Sequence, residues 1–521
     1  MMIRLRITFL LLIVVSKQGF AQQNNYSPLL PDKANDSLIF YDKLLSVTEM
    51  QEDLHLFRDI REKANSGLYR YRKKQEIDSI YRWAFQETKK PLGITSFNKI
   101  ILTLTDFEGS CHNYTEPPEE LLNFLRRQKS FFPYALKYIE GKIVFNNKSE
   151  QIPLGARILS INGEDDTTLM HSFYKYITAD GYTVTEKMSG SVDNSFGIRY
   201  LLEYGLTDSF SISFTPPYST GIRTVTIPAV YLAQREEKLK LRHSVSVDSV
   251  TDYSVQPKYS FEMLNPYTAL LNLRIFSMAT GKEDPAFTVY VRFIDSVFNL
   301  LHNNGVKNLI LDIRGNPGGS DPTFEQPMMY LTDQPFRENT LAYIIFDKIP
   351  YEKYFYGTST TAKMSEKEIE AGKKFLWDHF PRLENGKNLQ AAKYNPVYYP
   401  KSPGFKGHLY LLINENVASA AAHLASLVKA YARKATIVGV ETCGGYYGHN
   451  GHIPFVYTLP NSKIKSKFSI VYVVQDAPLK PDQPEGRGII PDYEVWPTFE
   501  DFMRKRDTQM EFVLGLIKDE H

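Results

Sequence analysis

The sequence predicts an α/β fold with a helical N-terminal part. Three observations predict it. Apolar residues recur at helical spacing through roughly the first quarter of the chain. Short strand-like segments split by turn residues follow. From about residue 258 onward, buried-strand patterns alternate with amphipathic helices, the mark of an α/β core. The 521 residues suffice for two or three domains and a large core.

The opening residues, MMIRLRITFLLLIVVSKQGFAQQ, place Arg4 and Arg6 before an apolar stretch, Ile7 to Val15, too short to span a bilayer. The small residues Gly19 and Ala21 follow. This order predicts a cleaved leader over residues 1–21, hence an exported protein, periplasmic or secreted. No cysteine follows the cut to carry a lipid, and no later segment is apolar enough to span a membrane.

Residues 36–130 read as a helical domain. Val47, Met50, Leu54, Phe57 and Ile60 share one helical face, and Ile77, Ile80, Tyr81 and Ala84 another. Pro91 and Gly93 break the run, and Ser96 is the expected cap of a third helix bearing Phe97, Ile100, Ile101 and Leu104. That helix runs out in the loop DFEGSCHNYTEPP. Residues 132–230 change to strands: YIEGKIVF reads as a hairpin, IPLGARILSINGEDD as a strand, a Gly turn and another strand ending on Asn162-Gly163, and DSFSISFTPPYSTGIRTVTIP as another pair. The charged stretch 233–244 reads equally as a linker or a surface strand.

The core is expected over 258–500. YTALLNLRIF is a strand, and Phe287, Tyr290, Val291, Ile294, Val297, Phe298 and Leu301 form one helical face. NLILDI is a buried strand running into RGNPGGS, and HLYLLIN is another, running into ENVASAAAHLA. Residues 340–400, rich in Tyr and Lys, read as an irregular covering arm, and 501–521 as a final helix.

Lys plus Arg is 61 and Asp plus Glu 59, a net charge of +2, so no field favours nucleic acid or an anionic membrane. Two cysteines, Cys111 and Cys443, exclude a disulfide-built scaffold.

The chemistry concentrates in a few stretches. Ser419 is the hydroxyl in a run of small residues where a strand hands over to a helix expected to begin near Asn416. There the Ala420 N–H is free to meet an oxyanion. The Gly pair Gly318-Gly319, at the end of a buried strand, offers a second backbone donor. Taken alone, a serine in a first helical turn is more often structural, and a Gly pair is often only a tight turn.

Four ordered stretches, NLILDIRGNPGG, LLINENVASAAAHLA, ATIVGVETCGG and GRGIIPDYEV, resemble the landmarks of the S41 serine peptidases, the C-terminal processing proteases and their tricorn-core relatives. LGARILSING resembles the PDZ-like module many of them carry. The resemblance implies a ClpP/crotonase-like core, a PDZ-like domain over 132–230, and Ser419 as nucleophile with Ala420 and Gly318 or Gly319 lining the oxyanion hole. The processing branch places a catalytic Lys where this chain has Gly445. The tricorn-like branch uses His, Ser and Glu instead, and LTDFEGSCHNYT and PEGRGIIPD resemble its segments. The resemblance thus implies His112 as general base, with Ser110 and Glu485 orienting it. His423, four residues after Ser419, is the rival base. His449 and His452 lack a third ligand, so no metal is expected, and no cofactor. The expected substrate is a peptide or protein; the alternative is an inactive S41-like protein binding a peptide or apolar ligand. If these assignments hold, Cys111 and Cys443 come close enough for a disulfide to be weighed against two separate thiols. Asp312, Arg314, Asn316 and Asp492 read as a hydrogen-bonded frame.

Overall fold

The fold is a computed structural model that describes residues 41, 43–244, 257–279, 281–319 and 322–519. The expected leader lies outside these. Among the described residues no helix is long and apolar enough to cross a membrane.

Two neighbouring strands of largely apolar character organise the second half. Asn308–Asp312 and His408–Ile413 pair in parallel at the centre of a six-stranded sheet. The order across it is Tyr259–Asn265, Thr268–Leu273, Asn308–Asp312, His408–Ile413, Ala435–Gly439 and Tyr493–Glu494. Only the first pair is antiparallel. Parallel strands need cover on both faces. Helices Pro285–Asn303 and Ser419–Tyr431 pack one face through Tyr290, Ile294, Leu424 and Leu427, among others. Helix Thr508–Asp519 covers the other, setting Val513 and Ile517 on Ile310, Tyr410 and Leu412. The first helix starts where Asp284 accepts the Ala286 N–H at 2.9 Å with Pro285 following, a well-formed N-terminus.

Beside this sheet stands a second one, built on the long hairpin Gly448–Thr458 and Lys465–Gln475. Asn339–Ile344 pairs with the hairpin's second strand and, on its other side, with Lys387–Leu389. Residues 340–400 are therefore not an irregular arm. They supply strands of this sheet and helix Glu366–His379, capped by Ser365 and Glu368. The strands other than Asn339–Ile344 are only three residues long, too short to leave a pattern. A third sheet runs Leu136–Ile139, Lys142–Phe145, Arg157–Ile161, Ser209–Thr215 and Arg223–Pro228. Its tight turns use positive φ at Glu140, Gly141, Asn162 and Gly163.

The N-terminal helices are Val47–Ala64, Lys74–Glu87, Ile94–Phe107 and Glu119–Arg126. The third begins at Ile94, two residues before the expected cap Ser96, because the Ile94 N–H already donates to the Lys43 carbonyl at 3.2 Å. The charged stretch after residue 232 is neither linker nor strand but helix Leu232–Lys240. Its Arg235 is buried and donates to the carbonyls of Phe132 and Asn194, so a residue read as solvated is an anchor. The C-terminal helix is two, Phe499–Arg504 and Thr508–Asp519, parted at Lys505 with φ 56°.

Candidate active site

Strands Asn308–Asp312 and His408–Ile413 end side by side, so the loops that follow them meet at the carboxyl end of the sheet, where open α/β sheets bind ligands. After His408–Ile413 the chain does not enter its helix at Asn416. The Asn414 side chain accepts the N–H groups of Gly315 and Asn416, and its carbonyl that of Val417. This turn delays the helix to Ser419–Tyr431. Ser419 is its first residue and stands at φ 51°, a conformation rare for a residue with a side chain and typical of strained functional positions.

The small residues around it are required by contact. Gly318 has φ 96°, and a Cβ there would lie 2.7 Å from Ser419 Cβ and 2.8 Å from the Ala420 nitrogen. A Cβ on Gly444 would meet Ala422 Cβ at 2.5 Å. The Gly318 N–H is already donated to Asn316 Oδ1 at 2.8 Å. Among the described residues nothing accepts the N–H of Ala420 or of Gly319.

His112 comes from the loop between helix Ile94–Phe107 and strand Tyr114–Glu116. That strand is pinned to the second sheet, Tyr114 opposite Lys467. The loop thereby reaches the nucleophile side: His112 Nε2 lies 3.1 Å from Ser419 Oγ, across 307 positions of chain. Nδ1 lies 3.4 Å from Cys111 Sγ, and the ring stacks on His449 at 5.5 Å. Burial, assisted by the charges of Lys467 and His452, pulls the His112 pKa down to about 3.

The other expected residues are placed differently. Ser110 is buried and its hydroxyl accepts the backbone N–H of His112 at 3.4 Å, so it shapes the loop rather than touching the ring. Glu485 is exposed and among the described residues makes no hydrogen bond or ion pair, so it does not orient His112 here. It sits in a surface turn, and the neighbouring carboxylate, Glu441, takes Arg487 and the Gly488 N–H instead. The rival base His423 is buried against Phe324 at 4.9 Å and does not bond Ser419. His449 is buried, and His452 pairs with Glu338 at 3.1 Å. Arg314 is held by Asp312 and Asp507, Asn316 Nδ2 by the Leu273 carbonyl, and Asp492 by the Ile437 N–H, as a frame.

Cys111 and Cys443 are both free thiols and pack in one small cluster with Ala179 and Ala418. Contact with the Cys443 thiol lowers the Cys111 pKa, but burial and the charges of Asp180 and Glu186 outweigh it and raise it to about 11.

The residue that sequence reasoning missed is Asp180. It is fully buried, and its two oxygens accept the N–H groups of Cys111 and Gly445, each at 2.9 Å. Its own N–H donates to the Cys443 carbonyl, and the next residue, Gly181, donates to Gly109. Asp180 therefore clamps the His112 loop to the loop beside Ser419, at the place where the processing branch would have its Lys. Burial raises its pKa, and the two N–H donors counter that only in part. Nothing in TADGYT but a turn-forming Asp-Gly pair marked it. Asp180→Ala strands two buried N–H groups, each costing about 1–3 kcal/mol. We expect kcat to fall about 100-fold with KM little changed and the melting temperature to drop, with Asp180→Asn, which keeps one acceptor, in between. An unchanged kcat in a folded Asp180→Ala protein contradicts the clamp.

Comparison with known proteins bears on the family and the fold. The sequence model of peptidase family S41 matches residues 273–495. Mature CPAF complexed with lactacystin superposes with a TM-score of 0.59 at 15% identity, covering 90% of this chain and 97% of that one. A second structure of mature CPAF gives 0.57 at 14%, covering 89% and 95%. At such identity the likeness is one of fold. A search of curated proteins finds no match. The segment that the S41 model matches contains the strands, the glycine loop and the Ser419 helix described above, so residues 273–495 form a serine peptidase domain of the S41 type.

Proposed function

We propose that this is an exported peptidase in which Ser419 attacks the scissile carbonyl and His112 takes the hydroxyl proton at Nε2 and returns it to the leaving amine. The 3.1 Å approach of those two atoms carries the reading. An unperturbed serine hydroxyl is a poor nucleophile and needs such a base. Burial keeps the ring neutral, as a base must be. The N–H groups of Ala420 and Gly319 are the oxyanion donors in this reading, Gly318 being engaged with Asn316. Asp180 replaces Glu485 as the acidic member, acting on the loop backbone and not on the ring.

The substrate is an extended peptide. A cleft of about 640 Å³ runs from Ser419 and His112 past Leu136 and Tyr138 of the third sheet, which supports the PDZ-like region as a wall for the bound chain. Export rests on the leader pattern of residues 1–21.

A fluorophosphonate probe tests the assignment. The wild type should be labelled at Ser419, and both Ser419→Ala and His112→Ala should lose labelling. Labelling of Ser419→Ala at the wild-type level would show that another residue is the nucleophile, and an unlabelled, inactive wild type would favour a ligand-binding role.

A further inference from the structure

We propose that the His112 loop carries an inhibitory site for a borderline-soft divalent cation, zinc in type, formed by Cys111 Sγ, His112 Nδ1 and an Asp180 carboxylate oxygen. A ring nitrogen of His112, the Cys111 sulfur and an Asp180 oxygen all lie within 4.8 Å of one another. One thiol, one imidazole and one carboxylate make a donor set that zinc takes readily.

The spacing suits it. Zn–S near 2.3 Å and Zn–N near 2.1 Å put adjacent corners of a tetrahedron about 3.6 Å apart. The observed separation of Cys111 Sγ and His112 Nδ1 is 3.4 Å. Asp180 closes the site from behind. Each of its oxygens accepts one backbone N–H, which fixes the carboxylate and leaves a further lone pair on each oxygen. Cys111, His112 and Cys443 line the cleft that reaches Ser419, so an ion in solvent has a path in.

Binding would silence the base, and this consequence rests on the reading of His112 given above. An ion on Nδ1 takes that lone pair, and a neutral ring must then carry its proton on Nε2. Nε2 becomes a donor toward Ser419 Oγ and can no longer accept the hydroxyl proton. Cys111 binds as thiolate, and its proton leaves to the buffer. Only the S–H and Nδ1–H bonds break, the thiol proton passing to the buffer and the ring proton being replaced by one on Nε2, so the inhibition is reversible by a chelator.

Two readouts separate the site from the catalytic reading. Under reducing conditions, Co2+ titrated into the Ser419→Ala protein should give a one-to-one sulfur-to-cobalt charge-transfer band. The band should vanish in the Ser419→Ala/Cys111→Ala protein and weaken with Asp180→Asn. Micromolar Zn2+ should lower wild-type peptidase activity at least tenfold, and EDTA should restore it. Cys111→Ala, compared with its own metal-free rate, should lose that sensitivity. Absence of the band, or equal zinc inhibition of Cys111→Ala, overturns the site. A band without inhibition overturns the inhibitory consequence through the assignment of His112 and leaves the ligand set standing.

Discussion

His112→Ala should lower kcat for peptide hydrolysis by about 10²–10⁴-fold while leaving the fold intact, because proton transfer to a placed base typically supplies about that much. The ring's polar contacts are Ser419 and Cys111, so its removal strands no other buried group. The pH dependence sharpens the test. An ordinary histidine is only about 3% neutral at pH 5. The pKa of His112 is pulled down to about 3, so the ring is still neutral there. In the wild type, kcat/KM should therefore hold from pH 7 to pH 5. Stability should not. Burial also lowers the pKa of His423, to about 4, and of His449. The unfolded chain takes up protons at these three sites as the pH falls through about 6.5, and the folded one does not until about 4 at His423, about 3 at His112 and well below the ordinary range at His449. Stability is thus complete above about 6.5 and declines below it by about 1.4 kcal/mol per pH unit for each ring. Activity loss in acid should track unfolding, measured by circular dichroism, and not a titration near 6.5. A fall in kcat/KM centred near 6.5 in protein that remains folded would contradict a buried neutral base.

The parts of this site that were legible in the sequence share a physical cause. Ser419 and the glycine pair follow strands buried on both faces, and such strands leave largely apolar runs that stop where the chemistry begins. The crowding of Gly318 on Ser419 then shows as small residues. His112 carried no local signal. It joins Ser419 through pairing of Tyr114 with Lys467, and only resemblance to a family singled it out. Asp180 and Arg235 were invisible for a common reason. Each is a charged side chain satisfied by backbone groups far along the chain, which no local pattern encodes. Glu485 erred the other way. Its place before the final landmark matched, but an acid in a turn is held only by partners the turn brings, and here Glu441 has them.

Glu108→Gln should be among the most destabilising single changes in the protein, by about 3–5 kcal/mol, because it leaves a buried guanidinium without its counter-charge. Arg61 and Glu108 are both buried, and Arg61 Nε approaches Glu108 Oε1 at 3.1 Å as an ion pair without hydrogen-bond alignment. Burial lowers the Arg61 pKa and raises that of Glu108, so each charge is tolerated only because of the other. The other oxygen, Oε2, accepts from Asn113 at 2.7 Å and from Asn65 at 3.3 Å. Asn113 follows His112 directly. Glu108 thus holds the base loop from below as Asp180 holds it from the side, and stability and catalysis share one anchor. Glu108→Gln retains the shape and loses the charge, so denaturant unfolding should show the drop. Where the variant stays folded, fluorophosphonate labelling of Ser419 should stay near the wild-type rate, because the new amide carbonyl can still accept from Asn113. Arg61→Met/Glu108→Leu removes both charges and should recover much of the stability, since apolar replacement of a buried pair is often neutral. Its labelling should nonetheless be slower than in the wild type, because Asn113 loses its 2.7 Å acceptor and keeps only the 3.4 Å contact with the Thr105 carbonyl. If the double variant labels as fast as wild type, the loop is held by something other than Glu108.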